Sequence, residues 1–199
     1  GGFNYLQFVF PGIVSMTVLF AAINSGLSLV WDKEFGFFKE ILISPVSRPA
    51  IVTGKIIAGS TTAIIQGMVV LLLAPLVGVS LAPLVLAKSL AYMLVMAISL
   101  SSVGILFGAR ISTFHSYPLV MNFVVMPMFL LSGAMFPLHG VPRWMEVLAL
   151  WNPVSYGVDI MRVAITGHGL FSPGVSLGIL GAMTVVMGLG AMCFLGRDY

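Results

Sequence analysis

The stretch WDKEFGFFKEILISPVSRPAIVTGK, residues 31–55, decides how this chain is read. It contains Asp32, Lys33, Glu34, Lys39, Glu40, Arg48 and Lys55, seven of the fifteen charged side chains in 199 residues. Residues 1–30 and 56–87 carry none. Over the whole chain 59% of residues are hydrophobic, 8% are charged and the mean hydropathy is +1.12. A water-soluble domain carries about 25% charged residues. So few polar groups cannot cover a water-facing surface, and the natural solvent for the chain is lipid. Residues 31–55 are then the one extended polar island of a membrane protein.

Further uncharged runs occupy 89–109, 111–142 and 163–196. Each reaches the roughly 20 apolar residues that a spanning helix needs. They are continuously apolar rather than alternating, which favours helices over a barrel. The expected architecture is an all-α, polytopic bundle in one domain, with spans at about 9–30, 54–75, 85–107, 118–137 and 174–195. Pro75, Gly78 and Pro83 mark one turn, and an external connector covers 138–173. Lys33, Lys39, Arg48, Lys55, Arg110 and Arg197 fall on one side, against Arg143, Arg162 and Lys88 on the other. The excess of Lys and Arg places the first side in the cytoplasm, with the C-terminus. Five spans would leave residue 1 outside, and a further helix upstream would restore both ends to the inside.

Within the island, Asp32 and Glu34 read as the start of a helix over 31–45, where acidic groups favour the positive end of the dipole. Phe35, Phe38 and Leu42 share one face of it, and Lys39 follows later. Ser44-Pro45 should end it, and Arg48-Pro49 should break the chain again. Two readings fit. One is an amphipathic helix lying among lipid headgroups. The other is a rigid helix docked on a cytoplasmic partner, with its aromatic groups as interface anchors.

The residues Glu34-Phe35-Gly36, Ile41-Leu42-Ile43-Ser44-Pro45-Val46-Ser47-Arg48 and Gly54-Lys55 resemble the loop between the second and third helices of ABC-2 type transporter permeases. A second match lies in Leu131-Ser132-Gly133-Ala134-Met135-Phe136-Pro137-Leu138, Val141-Pro142, and Trp151-Asn152-Pro153-Val154-Ser155-Tyr156 with Arg162. It is similar to the same family around its fifth span. The nearest resemblance is to the drug-, antibiotic- or lipo-oligosaccharide-exporting branch.

This resemblance implies a permease subunit in a prokaryotic inner (plasma) membrane. It would pair with a second permease copy, as a homo- or heterodimer, and with an ATP-binding-cassette ATPase. The coupling helix, with Asp32, Glu34, Phe35, Phe38, Lys39 and Leu42, would seat in the ATPase. Short re-entrant helices around Pro137, Pro142, Trp144, Trp151, Asn152 and Pro153 would close the outer end. The substrate implied is amphipathic or lipid-linked (a drug, an antibiotic, or a glycolipid or polysaccharide), moved outward between the two subunits.

No cofactor is expected on this chain, and ATP and Mg would belong to the partner. A phosphate-binding loop needs Gly-x-x-x-x-Gly-Lys-(Ser/Thr). Around Gly54-Lys55, Pro49 stands for the first glycine and Ile56 for the hydroxyl. His115, His139 and His168 share no metal-ligand spacing, and Cys193 is a lone thiol in the last span, so no metal or catalytic set is expected. The scattered basic residues read as topology signals, with no nucleic-acid patch.

Asn24 and Ser25 are candidates for pathway lining or for packing. Ser60, Thr61, Thr62 and Gln66 read as polar glue between helices, and Gly178, Gly181, Gly188 and Gly190 as sites of close helix packing. Pro127 should kink its span, and Asp159 and Arg162 are spaced for an ion pair. An ion-coupled carrier and a lipid-modifying membrane enzyme are the competing functions. The first would need charges at span centres and the second a cluster of Asp, Glu or His at one face.

Overall fold

The computed structural model describes residues 5–37, 46–111, 113–136 and 141–195. Seven helices organise them: α1 Tyr5–Glu34, α2 Arg48–Leu71, α3 Pro83–Arg110, α4 Phe114–Leu130, α5 Arg143–Trp151, α6 Pro153–Thr166 and α7 Pro173–Leu195. Among the described residues no strand is present. α1, α2, α3 and α7 are long and apolar enough to cross a membrane. The fold is a polytopic helical bundle, and several of its details depart from the expected spans.

The expected span 118–137 is the main correction. α4 runs only to Leu130 and is followed by a turn through Phe136. Its first turn is a 3-10 turn, and Met121–Val125 form a wider π turn just before Pro127. Proline has no N–H to give the preceding turn, and the wider turn absorbs that defect. The connector 138–173 holds the two short helices α5 and α6. α6 is buried along most of its length and packs on α1, α3 and α7. At Arg48-Pro49 the expected break is a helix start, because Pro49 sits in the first turn of α2, where its missing N–H costs nothing.

α1 is the central helix and packs most extensively on α3 and α2. Between membrane helices there is little hydrophobic drive, so close backbone approach and hydrogen bonds decide packing. Gly104 and Gly108, one turn apart on α3, meet Gly26 of α1. A Cβ on Gly26 would overlap the Gly104 carbonyl, and a Cβ on Gly104 or Gly108 would overlap the carbonyl of Ile23 or Gly26. The bare turn of α1 lets the Tyr117 hydroxyl of α4 donate to the Ile23 carbonyl.

α2 runs antiparallel to α1, with Gly59 against Ser25 and Gly67 against Val18 and Met93. On the far side of α3, Ser99 Oγ donates to the Leu180 carbonyl of α7 over 3.0 Å. The expected close packing at Gly178, Gly181 and Gly188 is not found, since a Cβ on any of them meets nothing within 4 Å. Gly190 faces only the flexible end of Leu106.

Gly104→Val should therefore destabilise the bundle by at least about 1–3 kcal/mol through overpacking, whereas Gly178→Val should stay within about 0.5 kcal/mol. Thermal unfolding midpoints of the two variants in one detergent check this, and equal midpoints would contradict the assignment of the close contact.

Candidate functional site

Three regions carry the candidate residues: the Glu34 end of α1, the groove between α1 and α2, and the α5–α6 junction at the opposite end of the bundle.

At the first, α1 does not stop before Trp31 but continues through Glu34. The chain turns at Phe35, with its N–H donating to the Trp31 carbonyl at 2.9 Å, and Gly36 adopts φ 83°. That left-handed value suits glycine and closes a helix C-terminus. Asp32 and Glu34 thus sit in a last turn, where the dipole disfavours acids, and the expected dipole rationale is overturned. Specific partners offset the cost. Asp32 Oδ2 lies 2.6 Å from Lys55 Nζ of α2 in a partly buried ion pair. Glu34 Oε2 accepts the Phe114 N–H at 2.7 Å, at the start of α4.

Lys33 donates to the Ala109 carbonyl at the end of α3, and the Trp31 ring lies 5.7 Å from that of Phe114. Arg110 lies over the Phe194 ring at 3.7 Å, adding the end of α7. The end of α1 is thereby braced to α2, α3 and α4. Phe35 and Phe37 project from the brace, 68% and 59% exposed. Phe38, Lys39 and Leu42 lie outside the described residues.

Between α1 and α2 opens a cavity of about 490 Å³. Thr17, Asn24, Ser25, Thr62 and Gln66 give it a polar wall, Phe20 an aromatic one, and Ser28 and Lys55 lie at one end. Lys55 Nζ also donates to Ser28 Oγ at 3.2 Å. Asn24 and Ser25 are thus together in one groove. The expected glue role of the α2 hydroxyls is corrected. Ser60, Thr61 and Thr62 donate to Ile56, Ile57 and Ala58, carbonyls of their own helix.

At the opposite end, Asn152 explains the Asn-Pro-Val-Ser-Tyr sequence. Its Oδ1 accepts the Val154 N–H at 3.0 Å and caps α6, and Pro153 fills the first helical position. Its Nδ2 donates to the Met128 carbonyl of α4. Tyr156 Oη donates to the Leu150 carbonyl at 2.8 Å, folding α5 back on α6. Arg162 Nη2 donates to the Gly133 carbonyl at 2.7 Å, and its guanidinium lies 4.3 Å from the Phe8 ring. The expected Asp159–Arg162 ion pair is not formed, because Asp159 accepts the N–H groups of Leu170 and Phe171 at 2.6 and 3.1 Å. Trp144 and Trp151 are 60% and 85% exposed on α5, whose first residue follows Pro142. Pro137 lies outside the described residues.

Sequence reasoning did not single out Glu34 as a cap for α4 or Asp32 as the partner of Lys55. No local signal could have, since both partners lie far along the chain. Gly26, Gly104 and Gly108 were also passed over, although the Gly-x-x-x-Gly spacing of 104–108 was visible.

Among the described residues no group of three or more His, Cys, Asp or Glu could hold a metal ion. The arrangement offers a braced helix end with exposed aromatics, a polar groove between spanning helices, and a tied hairpin of two short helices. Comparison with known proteins agrees with a permease architecture. The chain is 30% identical over 161 residues to ycf38 of Cyanophora paradoxa, named a transport permease, covering 80% of this chain and 56% of that protein. It is 29% identical over 160 residues to YbhR of Escherichia coli K12, named a multidrug ABC transporter permease, covering 80% and 44%. With the inner membrane transport permease YadH of the same strain it shares 28% over 167 residues, covering 83% and 65%. The chain thus spans about half the length of the curated relatives it matches. The ABC-2 type transporter family pattern matches residues 1–166, and the chain belongs to that family.

Proposed function

We propose that the chain is the membrane-spanning subunit of an ATP-binding-cassette exporter in a prokaryotic inner membrane. It works with a second permease copy and with an ATPase partner that uses ATP and Mg, and it moves an amphipathic or lipid-linked molecule outward. Family membership supports the class. The observation that carries the mechanism is the braced end of α1. Phe35 and Phe37 stand exposed next to Gly36, while Asp32, Lys33 and Glu34 tie the same turn to α2, α3 and α4.

Lys33, Arg48, Lys55 and Arg110 gather at that end, which supports placing it in the cytoplasm. An ATPase pressing on the aromatic groups would push a turn already linked to three other helices. The Glu34–Phe114 hydrogen bond leads that push into α4, whose π turn and Pro127 make it the most deformable helix of the bundle. At the opposite end, α5 and α6 form the outer gate, held by Asn152 against α4 and by Arg162 against the Gly133 turn. A push on α4 reaches that gate directly, because both ends of the relay contact the same helix.

Two measurements test this. Phe35→Ala in the full-length permease should lower co-purification of the ATPase roughly tenfold, the loss of one interface anchor, with membrane insertion unchanged; undiminished association would remove the docking role. Glu34→Ala should keep the ATPase bound but disconnect α4. With Cys193→Ser and a fluorophore on Asn122→Cys, the ATP-dependent change in emission should disappear in Glu34→Ala and persist in Glu34→Gln, which retains an acceptor.

A further inference from the structure

Asp159 and Arg162 are the two charged side chains of α6, both buried and one turn apart. Residues three apart on a helix are neighbours, yet each of these is held by a different loop. Asp159 accepts the N–H groups of Leu170 and Phe171, in the segment that runs from Gly167 to α7. That segment is closely seated. Gly167 turns with φ 77°, a Cβ on Gly169 would lie 3.0 Å from the Asp159 carboxylate, and the Phe171 ring lies 4.7 Å from that of Tyr156. Asp159 is therefore pinned in place. A carboxylate has about four lone-pair sites, so it can still accept from a further partner.

Arg162 is the opposite case. Its Nη2 donates to the Gly133 carbonyl, its guanidinium lies over the Phe8 ring, and its Nε is buried without a hydrogen-bond partner among the described residues. A buried cation with so thin a complement is costly, and one that loses its partner is costlier still. The Gly133 turn can leave α6 only by stranding that cation, unless another acceptor takes it. Asp159 is the only carboxylate on α6. A guanidinium on a long stem reaches it by a change of rotamer, while Asp159 keeps both of its N–H groups. The new contact would join two charges, which makes a stronger hydrogen bond than a neutral carbonyl does.

We propose that Arg162 is a two-position latch: on the Gly133 carbonyl it holds the α4–α5 turn closed, and on Asp159 it stabilises that turn open. This rests on the outer-gate reading above and names what governs the gate.

Ser132, beside Gly133, supplies the probe. It is buried, and its hydroxyl donates to the Phe129 carbonyl at 2.6 Å, so Ser132→Cys is a small change that stays hidden while the turn is closed. The full-length permease with its ATPase, carrying Ser132→Cys and Cys193→Ser, is placed in nanodiscs. The rate of labelling by a charged maleimide is then measured without nucleotide. Asp159→Asn should slow labelling roughly tenfold, the worth of one hydrogen bond between charged groups, because the open position is weakened. In an Arg162→Gln background, which has neither position, Asp159→Asn should bring no slowing. Phe8→Leu weakens the closed position alone and leaves the 170–171 segment untouched. It should speed labelling severalfold, a gain that Asp159→Asn cancels.

If Asp159 served only to hold Leu170 and Phe171, Asp159→Asn would loosen the hairpin and speed labelling, with or without Arg162. Faster or unchanged labelling in Asp159→Asn, equal slowing in the Arg162→Gln background, or a rate unmoved by Phe8→Leu would overturn the latch. ATP is then added to the same samples. No effect of ATP on labelling, with the Asp159–Arg162 dependence intact, would sink the transport reading and leave the latch standing.

Discussion

The backbone contact between α1 and α3 at Gly26, Gly104 and Gly108 is the constraint on which the other features depend. In lipid, two apolar helices gain nothing by hiding from water, so they associate through the closeness of their surfaces. Three glycines remove the side chains that would hold the axes apart. With α1 seated this deeply, its carbonyl at Ile23 comes within reach of Tyr117, and α4 is fastened to the bundle. The same seating sets where α2 meets α1. Gly59 lies against Ser25 at one level and Asp32 meets Lys55 a few turns away, and the groove is the space left between those contacts and Thr17.

Much of the architecture was legible because spanning a bilayer demands long uncharged runs, and residues 56–87 and 89–109 can hardly serve otherwise. The ends of elements were less legible. Asp32 and Glu34 carry the signature of a helix start, yet they close one, because Lys55 and the Phe114 N–H compensate them from elsewhere. Arg48-Pro49 has the same ambiguity, since a proline that ends one helix also begins another. α6 was hidden by Asp159 and Arg162, which make its sequence look external. Its Pro153 start and Gly167 end were nonetheless readable signals. Glycine spacing occurs in both α3 and α7, and only the packed structure shows which stripe has a helix against it.

The candidate residues separate into those that build and those that are presented. Asn152, Pro153 and Tyr156 are architectural, and their hydrogen bonds fix the angle between two short helices and attach them to α4. Arg162, a buried cation, has one carbonyl and one aromatic face as partners, and its Nε is left without a hydrogen bond. By contrast Phe35, Phe37, Trp144 and Trp151 are held out on rigid supports. Asn24 and Ser25 were weighed as packing or lining residues. Ser25 does both, since its Cβ meets Gly59 while its hydroxyl borders the groove.

The brevity of α4 has a consequence for the membrane itself. The seventeen residues of Phe114–Leu130 rise about 26 Å, whereas the hydrocarbon layer is about 30 Å thick. The neighbouring α1 and α3, with 30 and 28 residues, exceed that thickness. One face of the bundle is therefore mismatched to the bilayer while the others overreach it. A helix shorter than the hydrocarbon layer is accommodated by local thinning of the bilayer, by snorkelling of its flanking residues or by association with other helices, so the surroundings of α4 must adjust to it in a way that those of α1 and α3 need not.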